Sequence, residues 1–520
     1  MNTRQLIFAI IIFLCLQACD TSTDNQQASS PTPPNVVLIL ADDLGYGELG
    51  AYGQQIIETP HLDALAASGK KFTQFYSGSA VCAPARGVLL TGQHTGHAHV
   101  RGNDEWKERG DVWNFEAMFD DPTLEGQRPL PDSIITLAEQ LQDNGYKTAC
   151  IGKWGLGAPD SEGTPNRQGF DFFYGYNCQR QAHTYYPTHL WKNEERVLLD
   201  NTLVPPHKAV PEDFFADETA SYAPYNQADY AATLMQKEVL QFVEDHKTQP
   251  FFLYYSTPIP HVALQAPQKW VDHYRTKFGA EQPYTGKSYV PCQYPKATYA
   301  AMISYLDEQV GELVDKLKQA GVYDNTIILF TSDNGPTFLD QVDIAFFESA
   351  EPLRNESSSV KASLREGGIR VPLIATWPNH IEAGSTSEHL AAFWDFLPTI
   401  CELTATDIPK GQMIDGISFA PTLLDAGQQT QHEYLYWEFP ERGGSQAIRQ
   451  GKWKAYRDNI KTKGNLNTEL YNLETDLKEQ INLAKQFPTV VADLEAKMAA
   501  SRYPSRTERW KMGVLDSSGE

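Results

Sequence analysis

Cys82-Ala83-Pro84-Ala85-Arg86, followed by Gly87-Val88-Leu89-Leu90-Thr91-Gly92, sets a cysteine just ahead of an apolar run of helical character. Pro84 suits the first turn of a helix, where its missing N–H is no loss. Cys82 is then expected near a helix N-terminus, where free backbone N–H groups and the dipole favour an anion. Arg86 lies one turn on and can point back to the same spot. Asp42-Asp43 stands upstream of this motif and Asp333-Asn334 downstream. These side chains offer oxygen, which selects a hard divalent cation, Ca²⁺ or Mg²⁺, and argues against zinc. Taken singly, Asp-Asn-Gly is also a common turn sequence. A basic set, Arg86, Lys153, His261 and Lys361, completes the candidates. Cations can hold a developing oxyanion, and a histidine titrates where proton transfer is useful.

Elements able to position these groups are legible as alternating patterns. Residues 35–40 form a short apolar, β-branched run, a buried strand that stops at Asp42-Asp43. Asp132-Ser133 caps a predicted helix with Ile134, Leu137, Ala138 and Leu141 on one face, stopped by Gly145. Residues 147–151 read as a strand delivering Lys153, 230–244 as a helix, and 250–255 as a strand left through Pro258-Ile259-Pro260-His261. Residues 299–320 make a long helix, 326–330 a strand running into Asp333-Asn334, and 371–377 a further strand. Strands alternating with helices predict an α/β fold, a large, mostly parallel sheet between helices. The polar groups fall past the C-terminal ends of strands, where open α/β sheets bind ligands. Residues 101–131, and the section up to about residue 229, read as long irregular loops. After residue 425, strand-like pieces at 434–439, 446–448, 453–457 and 469–473 and a helix at 490–498 predict a smaller antiparallel subdomain.

The chain has 520 residues, with 66 Asp and Glu against 43 Lys and Arg. This acidic balance argues against nucleic acid as a partner. Arg4 and the apolar stretch 6–16, too short to span a bilayer, read as an export leader. Leu16-Gln17-Ala18-Cys19 resembles a bacterial lipobox and predicts cleavage before Cys19 and lipidation of its thiol. A secretory signal cut elsewhere is the alternative. The expected organisation is a lipoprotein signal at 1–18, a polar tether at 19–34, a catalytic domain at 35–425, a C-terminal subdomain at 426–510 and a tail at 511–520. The chain would then be anchored to the envelope outside the cytoplasm. Cys150, Cys178, Cys292 and Cys401 show no metal-type spacing, and their pairing is left open.

The order of these groups resembles the sulfatase family. An acid pair follows the first strand, then come Cys-x-Pro-x-Arg with a downstream Thr-Gly and Gly152-Lys153-Trp154. A histidine after an aromatic strand, Asp333-Asn334-Gly335, and Lys361 ahead of Glu366-Gly367-Gly368 complete the series. Glu469-Leu470-Tyr471-Asn472-Leu473 with Asn482-Leu483-Ala484 is similar to the family's C-terminal subdomain, so the resemblance spans about residues 35–510. It implies an alkaline-phosphatase-like fold and hydrolysis of a sulfate monoester. It also implies that a maturase converts Cys82 to formylglycine, whose hydrate attacks sulfur. Asp333 would be the base, and Arg86 and the cation would ease the oxyanion. Lys153 and Lys361 would hold sulfate oxygens, and His261 would protonate the departing alcohol. The second hydroxyl would then expel sulfate. The implied metal ligands are Asp42, Asp43, the modified Cys82, Asp333 and Asn334.

One position departs from the family, which commonly reads Gly-Lys-Trp-His where this chain has Gly155. The lost contact is expected from His183, or from His94, His97 or His99. Arg101, Asn103, Arg180 and His183 are the expected substrate contacts, and the wording around them resembles bacterial carbohydrate sulfatases. A sulfated, galactose-type sugar at the end of a glycan, acted on in exo fashion, is the expected substrate. The competing readings are a phosphomonoester or phosphonate-ester hydrolase of the same fold and a lipid-anchored glycan-binding protein without catalysis.

Overall fold

The apolar run after residue 34 is a strand, and it lies near the middle of a ten-stranded sheet in the computed structural model. The structure describes residues 33–339 and 342–516. The predicted leader, Cys19 and the tether up to residue 32 lie outside the described residues, as do residues 517–520 of the predicted tail. In chain order the strands are β1 (Asn35–Ala41), β2 (Lys70–Phe72), β3 (Phe75–Tyr76), β4 (Lys147–Lys153), β5 (Phe172–Tyr176), β6 (His189–Lys192), β7 (Glu195–Leu198) and β8 (Phe251–Ser256). They continue with β9 (Thr326–Ser332), β10 (Leu373–Thr376), β11 (Ser385–Ser387), β12 (Ala391–Ala392), β13 (Leu435–Phe439), β14 (Ser445–Gln450), β15 (Trp453–Arg457) and β16 (Glu469–Asn472). The large sheet runs β11-β2-β10-β9-β1-β8-β4-β5-β6-β7. Its centre, β9-β1-β8-β4-β5, is parallel throughout. Antiparallel pairings flank it, β9 with β10 and β10 with β2 on one side, and β5 with β6 and β6 with β7 on the other.

Side-chain alternation explains why this centre is buried on both faces. Val37 and Ile39 of β1 enter one core and Val36, Leu38 and Leu40 the other. The helices Ala231–His246 and Pro295–Gln319 close the first core with Val239, Phe242, Leu306, Val310 and Leu313. Cys82–Thr91, Leu137–Asp143 and Phe396–Leu403 close the second.

Two local expectations are corrected. The helix expected after Asp132-Ser133 starts at Leu137, because Thr136 is a better cap. Its hydroxyl accepts from the Glu139 N–H at 3.2 Å, and the Glu139 carboxylate accepts from the Thr136 N–H at 2.7 Å. That reciprocal pair satisfies two orphan donors at once. The section up to residue 229, expected to be irregular, contributes β5, β6 and β7 to the sheet. The strands β6 and β7 end in exposed Lys192, Glu195 and Leu198, an edge pattern that hides an apolar run.

After residue 425, β13–β16 form the expected antiparallel sheet. One face, with Leu435, Trp437, Phe439 and Ala447, belongs to the second core of the large sheet. The other face packs Tyr436, Ile448 and Leu470 against Leu494 and Met498 of the helix Pro488–Ala500. Lys454 locks this sheet down, its Nζ lying 2.8 Å from Glu366 and 3.1 Å from Glu479, all fully buried. Burial would raise Glu366, but Lys454, Arg449 and Arg370 outweigh it and bring its carboxyl down to about 2. A carboxyl so depressed stabilises the fold above the ordinary carboxylate range and loses that contribution as pH falls toward about 2. Lys454→Met should therefore destabilise the protein by about 3–5 kcal/mol at neutral pH. The deficit should shrink in acid, where the stranded carboxylates can protonate. Denaturant titrations at two pH values measure this, and a small or pH-independent loss would contradict it. Cys150, Cys178, Cys292 and Cys401 are buried and unpaired.

Candidate active site

The five parallel strands end on one edge of the sheet, and each hands on a polar side chain. β1 leads into Asp42 and Asp43, β9 into Asp333 and Asn334, and β8 into the turn that holds His261. Lys153 is the last residue of β4, and β5 leads to Gln179, Arg180 and His183. The backbone joins these turns. The Asp42 N–H donates to the Ile259 carbonyl at 3.1 Å, and the Asp333 N–H to the Ala41 carbonyl at 3.0 Å. The Asp43 N–H donates to Asp333 Oδ1 at 3.1 Å. Asp43 has φ of 67°, a left-handed conformation that aspartate tolerates, so two adjacent carboxylates can serve one centre. Cys82 opens its helix as expected. The cap is supplied from a distance by Asn103, whose Oδ1 accepts from the Ala83 N–H at 3.1 Å.

Charge is packed densely here. Asp42 Oδ2 lies 2.6 Å from Lys153 Nζ and 2.9 Å from Arg86 Nη2, and the same nitrogen is 3.0 Å from Asp333 Oδ2. Lys361 Nζ lies 2.6 Å from Asp43 Oδ2, and His261 Nε2 is 3.7 Å from that oxygen. Cys82 Sγ is 3.3 Å from Asp42 Oδ1 and 3.7 Å from Lys153 Nζ. Burial opposes the charge on Asp42, but Lys153, His261, Arg86 and Lys361 outweigh it and hold its carboxyl well below the usual range. Asp333 is pushed up to about 7 by burial and by Asp42, against the pull of Arg86. Burial, with Asp333 and Asp42 beside it, raises the Cys82 thiol well above its ordinary value, so an unmodified thiol is a poor nucleophile here. His261 does not titrate near neutrality as expected. Burial, Lys361 and Lys153 hold it well below its usual value.

The donor set fits a hard cation. Asp42, Asp43, Cys82 and His261 bring ligand atoms within 4.8 Å of one another, two of the four being carboxylates. Asn334 Nδ2 donates to Asp43 Oδ1 at 2.8 Å and to the Gly335 carbonyl at 2.9 Å, while Asn334 Oδ1 is buried without a hydrogen-bond partner. Clustered carboxylates and an orphan amide oxygen are what a calcium-type ion satisfies.

The expected substrate contacts are not all at the centre. Arg101 is spent elsewhere, its guanidinium donating to Glu438 and to the carbonyls of Ala98, Gly96 and Tyr503, so it clamps the C-terminal sheet. Arg180 is fully buried, 3.0 Å from Glu105 and 2.7 Å from Met118 Sδ, with Trp113 stacked on it. It supports the pocket wall. His183 does reach the centre, its ring parallel to that of His261 at 5.4 Å. His94 and His97 gather on Asp415, and His99 lies against Trp510, so none of the three replaces the missing histidine. The space at Gly155 is taken by Gln179. A Cβ at Gly155, where φ is 79°, would lie 2.5 Å from Gln179 Nε2, and Gln179 Oε1 is 3.5 Å from Arg86 Nη1. Gln179 Nε2 is buried without a hydrogen-bond partner. Sequence reasoning missed Gln179, and only its place soon after a strand end could have marked it.

Carboxylates and cations grouped at buried strand ends beside a helix N-terminus, with shifted proton affinities, mark a charged reaction centre. A family model described as Sulfatase matches residues 34–406, and one described as N-sulphoglucosamine sulphohydrolase, C-terminal, matches residues 360–503. Arylsulfatase A of Bos taurus is 32% identical over 445 residues, 82% of this chain and 75% of the relative. N-acetylgalactosamine-6-sulfatase of Rattus norvegicus is 29% identical over 471 residues, 88% of this chain and 75% of the relative. The crystal structure of Ps i-CgsB in complex with k-i-k-neocarrahexaose superposes with a TM-score of 0.72 at 25% identity, covering 93% of this chain and 96% of that one. The chain belongs to the sulfatase family and is a sulfuric ester hydrolase of alkaline-phosphatase-like fold.

Proposed function

We propose that the chain hydrolyses a sulfate monoester on a carbohydrate, the sulfated residue being galactose-type, with formylglycine at position 82 and Ca²⁺ as the cation. The reading rests on Cys82, which begins a helix with Lys153, Asp42 and Arg86 grouped at its side chain. N-acetylgalactosamine-6-sulfatases among the relatives, and a neighbour holding a neocarrahexaose, support the sugar class. Asp42, Asp43, Asp333 and Asn334 would hold the cation, which when bound supplies positive charge for the sulfate oxygens. Lys153 and Lys361 steady those oxygens. Asp333 takes the proton from the attacking hydroxyl of the hydrated aldehyde, while Arg86 fixes Asp333 and Asp42. His261, neutral in the free site, gains proton affinity once a sulfate offsets the two lysines, and then serves the departing oxygen. One water is consumed, and one alcohol and one sulfate are released. The Leu16-Gln17-Ala18-Cys19 reading places the mature chain on the bacterial envelope through a lipid at Cys19.

The test is a screen of position-defined sulfates of galactose, N-acetylgalactosamine and glucosamine, with 4-nitrophenyl sulfate and 4-nitrophenyl phosphate on the same preparation. Turnover should be greatest on a galactose-type sulfate. Faster phosphate than sulfate hydrolysis would favour the phosphoester rival. Activity confined to glucosamine sulfates would overturn the galactose assignment.

A further inference from the structure

Beside His261, on the far side of His183, lies a cavity of about 720 Å³ whose lining includes Trp113, Asn114, Phe115, His183, His207 and Lys208. His183 belongs to both site and cavity, since it lines the cavity and stacks on His261. Trp113 is 59% exposed, although it sits in a concave wall. The buried Arg180 guanidinium lies 4.8 Å from its ring centroid and is itself paired with Glu105 at 3.0 Å. One face of the indole is therefore held and the other is open. A fixed aromatic plate beside polar groups suits the C–H face of a sugar, and holding it beforehand reduces the ordering cost of binding.

The histidines add a directional signal. The Ser288 carbonyl can only accept, so His207 Nδ1, 2.6 Å away, carries a proton. Burial holds both His207 and His183 below their ordinary values and so favours the neutral form of each ring. His207 Nε2 then accepts from His183 Nδ1–H at 2.8 Å. His183 Nε2 is left as an acceptor, which suits a hydroxyl and repels a sulfate. The cations of the wall are also paired, Lys208 Nζ with Glu116 at 2.6 Å and Arg180 with Glu105, and Asp111 adds a negative charge.

We propose that this cavity is a subsite for the sugar next to the sulfated one, that it takes an unsulfated residue stacked on Trp113, and that His183 Nε2 accepts from a sugar hydroxyl. The inference rests on the carbohydrate reading above and extends it to an oligosaccharide.

The test compares the active sulfated sugar of the screen, alone and in a disaccharide with one unsulfated neighbour, with 4-nitrophenyl sulfate. Trp113→Ala should raise KM for the disaccharide by about tenfold or more with little change in kcat. KM for the monosaccharide and the aryl sulfate should stay within about twofold. Trp113→Phe should restore most of the loss, and thermal melts of both variants check folding. An unchanged disaccharide KM, or an equal rise on all three substrates, overturns the subsite alone. A sulfate on the second sugar that lowers KM overturns its neutral character. Wild-type turnover of 4-nitrophenyl sulfate but of no sulfated sugar would sink the carbohydrate reading, and the subsite with it.

Discussion

Cys82→Ala is expected to leave a protein that melts close to the parent and turns over no sulfate ester, a loss of roughly 10⁵-fold or more. The substitution removes the side chain toward which Asp42, Lys153 and Arg86 are arranged, and nothing beside it can replace it. The fold should tolerate the change, because Cys82 is buried in a helix that keeps its Asn103 cap and its apolar contacts. Cys82→Ser separates two explanations. A serine oxygen can attack sulfur but has no second hydroxyl to expel the sulfate, so peptide mass spectrometry should find sulfate retained on the helix. The parent from its own host should show an aldehyde at this position. An unmodified thiol in fully active protein, or substantial turnover by Cys82→Ala, would remove Cys82 from the mechanism.

Asp42→Ala should cost both activity and fold. Asp42 pairs with both Lys153 and Arg86, and its removal leaves Lys153 buried without that carboxylate while Arg86 keeps only Asp333. Breaking a buried pair in this way typically costs about 3–5 kcal/mol. Asp42→Asn keeps the shape and one oxygen while lowering the charge, so it should recover part of the stability but little of the turnover. Elemental analysis should find calcium in the parent and a loss in both variants. Stoichiometric zinc that survives calcium chelation would contradict a ligand set made of oxygens.

Both the centre of the fold and the centre of the site were legible, for one reason. A strand buried on both faces must be apolar throughout, so β1, β8 and β9 stand out, and any acid or base at their ends is conspicuous. Asp42, Asp43, Lys153, His261, Asp333 and Asn334 lie at or just past such strand ends, and their order along the chain, read together with Cys82, singled them out. The walls were not. Gln179, Trp113 and His207 lie in stretches without periodicity, where nothing local separates a functional side chain from a packed one. Arg101 was misjudged because closeness in sequence to the Cys82 helix says nothing of Glu438, its partner across the chain. His183 was legible as a site residue, but its acceptor role depends on His207 and Ser288, which only the fold brings near.

The last sheet of the chain has a bearing on the order of events during biogenesis. Cys82 is 1% exposed, and Trp437, synthesised long after it, donates to the Ser77 carbonyl at 2.9 Å, while the Ser77 hydroxyl donates to the Asp333 carbonyl. The catalytic edge is thus propped from the C-terminal end and is complete only when that end has been made. An enzyme that alters Cys82 has to reach a side chain that the folded chain leaves 1% exposed, and so would have to act before folding is complete. Slowing late synthesis should widen that window, and rapid closure should trap the thiol beyond reach.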